Sequence, residues 1–231
     1  MAKKQRLDKA IAMQGSLSRS EVKTLIRKGA VTVNGQVVKN ADFGVDFDSD
    51  TVAVQGKELS LSMHIYLMLN KPKGVVSASE DKKLPTVVDL VPKELWRKGL
   101  FPAGRLDKDT TGFVLITDDG EFAHDILSPK KHISKTYHAL VNGTITDEMV
   151  EGFAKGVTIG EDFTLPASLK KISSEEQGDW GEVILKEGMY HQIKRMFGAY
   201  GLKVLELKRV QMGKLPLDPN LEEGKCRELT A

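Results

Sequence analysis

The sequence predicts an α+β chain of two units, a small one opened by two helices and a larger one of strands with flanking helices. Three observations predict it. The length of 231 residues suits one large or two small domains. The first sixty or so residues carry apolar side chains at helical spacing and then a hairpin signal, whereas the stretch from Val157 onward alternates strands with polar turns before one more helix. Charge is also segregated. Residues 1–39 hold nine Lys or Arg against Asp8 and Glu21, a net of +7, and residues 40–60 hold Lys57 against five acids, a net of −4. The whole chain sums to only +2, so the basic surface is concentrated at one end, as a phosphate-facing surface requires.

In the first unit, Leu7, Ala10, Ile11 and Gln14 predict a helix over 6–14 that Gly15 closes. Ser18-Arg19-Ser20-Glu21 is a capping-box pattern, in which the hydroxyl and the carboxylate satisfy backbone donors at a helix start. Val22, Leu25 and Ile26 then form the buried stripe, leaving Arg19, Lys23, Arg27 and Lys28 outward, and Gly29 ends the helix. Val31–Val33 and Val37-Val38 flank Asn34-Gly35, a strong hairpin signal, and Thr51–Val54 adds a strand. Leu59 to His64 reads as the linker.

In the second unit, Ile65–Leu69 reads as a buried strand ending in the turn Asn70–Gly74. Thr86–Leu90 and Pro92–Trp96 predict short helices, and Phe113–Ile116 is an apolar strand. Asp118-Asp119-Gly120 caps a helix to Leu127 that Ser128-Pro129 stops. Lys130, Lys131, His132 and Lys135 make a basic loop before the strand Thr136–Val141. Thr146 caps a helix bearing Met149, Val150 and Phe153. Strands follow at Val157–Ile159, Ala167–Ile172 and Gly181–Lys186, then a helix over Gln192–Tyr200 with Ile193, Met196, Phe197 and Tyr200 on its buried side. Lys203–Val210 and Arg227–Leu229 close the sheet.

Composition excludes several classes. Hydrophobic residues at 40% support a real core, and no apolar run approaches a membrane span or a signal segment, so the cytoplasm is the expected compartment. Cys226 alone excludes an internal disulfide framework. The five histidines lack metal-ligand spacing, and no dinucleotide or phosphate-loop motif occurs, so neither metal nor cofactor is expected.

The chemistry concentrates in Gly104-Arg105-Leu106-Asp107-Lys108-Asp109-Thr110-Thr111-Gly112. Extended backbone puts Arg105 and Asp107 on one face and Leu106 on the other, so that Leu106 anchors while a cation and an anion share a cleft. Asp109 then caps the following turn, a second carboxylate for acid–base work being the alternative. On spacing alone a surface hairpin with a solvated Arg/Asp pair is the readier reading of the stretch.

Gly104–Asp107 followed by Asp109–Gly112 resembles the active-site motif of pseudouridine synthases. Leu69–Gly74, Lys135-Thr136-Tyr137 and Glu187–Met196 agree with that family in its usual order. The first unit, through Arg6–Lys9, Ser18–Ser20 and Arg27–Gly35, resembles the S4-type RNA-binding domain. The resemblance thus implies an S4-like αα-β domain over 1–60 and a mixed or antiparallel-sheet catalytic domain over 61–231. It implies isomerisation of a flipped uridine, with Asp107 catalytic, Arg105 filling the vacated space or holding phosphate, Tyr137 stacking on the uracil and Lys194 pairing with Asp107. Arg6, Lys9, Arg19, Lys23, Arg27, Lys28, Lys130, Lys131, Lys135, His191 and Arg195 are the expected RNA contacts. The Tyr190–Phe197 segment is close to the RsuA group, which modifies small-subunit ribosomal RNA. The expected partner is therefore that RNA or the assembling small subunit, met by a monomer. A synthase for large-subunit RNA is the alternative, and a non-catalytic assembly factor a further one.

Overall fold

The computed structural model describes residues 4–15, 17–128 and 131–229. β1 (Gln5–Arg6) leads into α1 (Leu7–Met13), which buries Leu7, Asp8, Ala10 and Ile11. α2 (Arg19–Arg27) opens with the full capping box: Glu21 N–H donates to Ser18 Oγ at 3.3 Å, and Ser18 N–H donates to the Glu21 carboxylate at 2.7 Å. β2 (Val31–Val33) and β3 (Gln36–Val37) turn at Asn34 and Gly35, whose φ angles of 52° and 78° suit the right-handed twist of a two-residue hairpin. β4 (Gly44–Val45) pairs with β1, while β5 (Val52–Val54) and β6 (Lys57–Leu59) complete a four-stranded sheet of order β3-β2-β5-β6. Leu7, Ile11, Val22 and Ile26 pack on its valines to form one apolar cluster.

The larger unit is a nine-stranded mixed sheet with helices on both faces. β7 (Tyr66–Lys71) pairs with β9 (Thr111–Thr117), and β8 (Phe101–Ala103) adds to the other edge of β9. α3 (Gly120–Leu127) follows, capped by Asp119, which accepts from Phe122 N–H at 2.9 Å. β10 (Lys135–Val141) precedes α4 (Asp147–Lys155), whose cap is Thr146. β11 (Thr158–Ile159) and β12 (Asp162–Phe163) form a small separate hairpin. β13 (Ser168–Glu175) and β14 (Gly178–Leu185) form a long one that pairs through β14 with β10. α5 (Gln192–Gly198) leads to β15 (Val204–Met212), with β16 (Leu215–Pro216) and β17 (Cys226–Glu228) beyond it.

The strand order is β13-β14-β10-β15-β9-β7-β17, and the β15–β9 pairing is parallel. That join decides where the chemistry sits, because it brings Arg209 beside Gly112 at the end of the motif loop. Gly112 has φ +97°, and a Cβ there would fall on the Arg209 carbonyl oxygen, so only glycine lets the loop close on β15. Phe153, Met196 and Phe197 of α4 and α5 pack on one sheet face, whereas Ala123 of α3 packs with Met68, Phe113 and Leu115 on the other.

Two expectations fail. Thr86–Leu90 and Pro92–Trp96 form turns, not helices. Five residues support about one helical hydrogen bond, too few to offset nucleation. Here Thr86 instead donates to the Asp89 carboxylate and bridges Val76. Lys135 belongs to β10 rather than to the loop before it. The Leu59–His64 linker is also tied down: buried Arg97 donates to Ser62 O at 3.1 Å, Ser62 Oγ at 2.6 Å and Gln14 Oε1 at 2.7 Å. No helix among the described residues is long and apolar enough to cross a membrane.

Candidate active site

The motif loop is held from three sides before any catalytic group is placed. Leu106 is buried, Arg105 exposed and Asp107 half-buried, as alternation requires. Ser77 fixes that extended backbone, its hydroxyl accepting from Leu106 N–H and donating to Leu106 O, both at 3.0 Å. From below, fully buried Lys71 donates to Thr110 O at 2.8 Å, Pro72 O at 3.1 Å and Lys108 O at 3.2 Å. Burial pushes the Lys71 ammonium down to about 8, against the pull of Asp109 and Asp107. Ser77 carried no signal in the sequence; spacing alone left Lys71 in a solvated turn, and the resemblance of Leu69–Gly74 to the family implied structural work beneath the site. Its burial, clamped under the loop, assigns it structural work.

Across the loop lies a cavity of about 800 Å³ lined by Arg105, Asp107, Asp109, Tyr137, His191 and Lys194. β10 supplies Tyr137, 9% exposed, and the start of α5 supplies His191 and Lys194. Lys194 Nζ stands 3.3 Å from Asp107. It stands closer to Asp109, at 2.7 and 2.8 Å from its two oxygens. The Lys194 hydrogen bond holds the Asp109 carboxyl below its ordinary range, outweighing the opposing effect of burial. His191 Nε2 is 3.6 Å from the same Asp107 oxygen that faces Lys194. The Asp109 carboxylate thus does more than bond its own backbone N–H: it also holds Lys194 across the loop. Its side chain faces the cleft, because the bend at Lys108 returns it to the side of Asp107.

The expected RNA contacts divide. Arg6, Arg19 and Lys23 converge on fully buried Asp8 at 3.2, 3.1 and 3.8 Å, each remaining about half exposed. Burial raises the Asp8 carboxyl, but hydrogen bonds from Arg6 and Arg19 outweigh that and hold it low. Lys9, Arg27 and Lys28 are exposed on the same unit. Lys131 pairs with Asp125 at 3.2 Å, and Lys130 lies outside the described residues. Lys135 is half-buried with its ammonium on Ile133 O at 3.2 Å. Arg195 does not project into the cleft: it reaches Ile159 O and Asp162 on the β11–β12 hairpin. Among the described residues no group of three His, Cys, Asp or Glu could hold a metal ion.

Residues 65–199, well over half of the chain, match the family model described as RNA pseudouridylate synthase. The chain belongs to that family. Residues 5–52 of the synthase match the S4 domain as well. The synthase is 44% identical over 226 residues to an uncharacterised RNA pseudouridine synthase, YtzG, of Bacillus subtilis (strain 168), covering 97% of this chain and 95% of the relative. It is 43% identical over 230 residues to ribosomal small subunit pseudouridine synthase A of Escherichia coli (strain K12), covering 97% and 96%. A solved structure described as a pseudouridylate synthase superposes with a TM-score of 0.64 at 37% identity, covering 97% of this chain and 96% of the other. The synthase is thus an isomerase of the RsuA type, with an S4 domain ahead of a mixed-sheet synthase fold.

Proposed function

We propose that this synthase converts one uridine of small-subunit ribosomal RNA to pseudouridine, acting in the cytoplasm as a monomer without cofactor. Residues 1–60 grip the RNA and residues 61–231 do the chemistry. The observation that carries the substrate assignment is the near full-length similarity, at 43% identity, to a synthase named for the small ribosomal subunit.

The isomerisation breaks the bond from sugar C1′ to uracil N1, turns the base and joins C1′ to C5. The C5 proton leaves and N1 gains one, so atoms and electrons balance within the nucleotide and nothing need be supplied. A stacked uridine is out of reach, and the nucleotide must flip into the cavity. Tyr137 then stacks on the uracil, and Arg105 occupies the vacated space or holds its phosphate with a planar, permanently charged group. Asp107 is the reacting carboxylate, as nucleophile towards the nucleoside or as base for a sugar proton. Lys194, 3.3 Å away, sets a cation against its negative charge.

The test is to map pseudouridine in small- and large-subunit RNA, naked and partly assembled, after treatment with purified enzyme. Small-subunit product is expected. Product confined to large-subunit RNA overturns the substrate assignment.

A further inference from the structure

Tyr190 is the most exposed large apolar or aromatic side chain described, 76% exposed, and it sits among the residues lining the Asp107 cavity. An aromatic ring left in water at the mouth of a reaction site needs a reason. It is not loose. One ring face stacks on His191, with centroids 3.9 Å apart and planes 18° from parallel, and the other is free. His191 itself adopts the left-handed conformation, φ +48° and ψ 34°, uncommon for a residue with a side chain. That conformation carries its Nε2 to 3.6 Å from Asp107, so the stacked pair runs from the reacting carboxylate out to solvent.

The backbone under Tyr190 is braced. Arg195, expected to touch RNA, instead donates to Tyr190 O at 3.4 Å and to Ile159 O on the neighbouring hairpin. Glu187 accepts from Leu165 N–H at 2.8 Å and from Gln192 Nε2 at 2.6 Å, and Gln192 accepts from Met189 N–H at 2.9 Å. A loop tied at both ends presents its ring without a large ordering cost on binding.

We propose that Tyr190, backed by His191, is a stacking platform for an unpaired base next to the flipped uridine. Every base has a π-face, so the platform recognises an open neighbouring nucleotide rather than a letter, and it selects loops over duplex. Arg195 is a positioning residue for it. The proposal rests on the enzyme being an RNA pseudouridine synthase that flips its target, but not on which ribosomal RNA is modified.

The experiment uses the full-length enzyme on whichever ribosomal RNA the wild type modifies, in single-turnover tritium release against RNA concentration. Tyr190→Phe keeps the ring and should stay within about twofold of wild type. Tyr190→Leu should raise the half-saturating RNA concentration between about 5-fold and 150-fold, the range to which ~1–3 kcal/mol of base–aromatic stacking converts, with little change in the saturated rate. Arg195→Met should give a smaller rise of the same kind. An abasic residue replacing one base flanking the target should weaken wild type as Tyr190→Leu does, and weaken that variant no further. An unchanged half-saturation in Tyr190→Leu overturns the platform. So does a collapse of the saturated rate alone, or a full additional loss with the abasic substrate. Failure of the substrate assignment shows separately, in which RNA the wild type modifies, and a wild type that modifies none overturns both.

Discussion

The two halves of this enzyme solve opposite charge problems with the same residue types. In the S4 domain one buried carboxylate, Asp8, gathers three half-exposed cations, Arg6, Arg19 and Lys23. In the cleft one ammonium, Lys194, is shared by two carboxylates, Asp109 at 2.7 Å and Asp107 at 3.3 Å. The first arrangement leaves positive charge over, pinned in place and facing outward, which is what a polyanion needs. The second leaves negative charge over, with Lys194 bound to both oxygens of Asp109 and Asp107 left the longer contact. Asp8 is a fastener and Asp107 the proposed reagent, and their surroundings differ accordingly.

The sharpest test of that contrast is Asp107→Asn, which keeps the shape and removes the charge. RNA binding should change little while turnover falls by several orders of magnitude, beyond the ~10²–10⁴-fold expected for losing a simple general acid or base. Tritium release with separate filter binding measures both. Substantial residual turnover would mean that the reagent lies elsewhere in the cleft.

Asp8→Ala should do the reverse, lowering stability of the S4 domain while leaving the chemical step intact. Removing one partner of a buried pair costs ~3–5 kcal/mol where the orphaned charge is also buried. Here the three cations are half exposed, so the loss should be nearer ~2 kcal/mol, read by denaturant unfolding. The pH dependence has a definite sign. Asp8 is held below its ordinary value in the folded state, so its contribution is present at neutral pH and is lost as pH falls through that depressed value. Wild type and variant should therefore converge in acid, below the ordinary carboxylate range.

Much of this contrast was legible in the sequence and part of it was not, for a physical reason. Local devices were readable: the Ser18/Glu21 box, the Asn34-Gly35 turn, and the apolar stripe of Ile193, Met196 and Phe197. In the sequence Asp8 beside Arg6 and Lys9 reads as an internal salt-bridge partner; the fold keeps Arg6 and brings Arg19 and Lys23 in place of Lys9. The long-range closures were not readable. The parallel join of β15 to β9 brings Arg209 to Gly112, and nothing in local spacing encodes it. For Lys71, spacing alone allows a solvated turn, and it was the resemblance of Leu69–Gly74 to the family that implied structural work beneath the site; only the fold shows the three carbonyl acceptors from the Asp107 loop and Pro72. Asp109 was read as a cap because Asp in a turn usually is one, and only the fold brings Lys194 to it.

That contact makes Asp109→Asn informative. If Asp109 acts through Lys194, its loss lets the ammonium drift or settle fully on Asp107, and either displaces the reagent's charge. Turnover should fall roughly tenfold, about 1.4 kcal/mol, with RNA affinity unchanged and the thermal midpoint little moved. A capping role would give the opposite pair of results: lost stability of ~1 kcal/mol and an unchanged rate. The two readouts together separate the roles.

The smallest effect belongs to the outer cations of the S4 domain that Asp8 does not hold. Lys9 and Lys28 are exposed, and no ion pair to either is found among the described residues. If the excess charge of this unit faces phosphate, each should release about one counterion on binding, and log K should depend on log salt with a slope shallower by ~0.7–0.9 for each one removed. Lys9→Gln and Lys28→Gln should therefore weaken RNA binding modestly at low salt and hardly at all at high salt. Their saturated rates should match wild type, because neither touches the cleft. Binding isotherms at four or five salt concentrations measure the slope directly. Arg19→Gln is the comparison that ties this result to the buried carboxylate: it removes a phosphate-facing charge and an Asp8 fastener together, so it should flatten the slope by a similar amount and also lower stability. Equal slopes for all three variants and wild type would leave the S4 cations without a phosphate to face, and the contrast between the two halves would lose its first term.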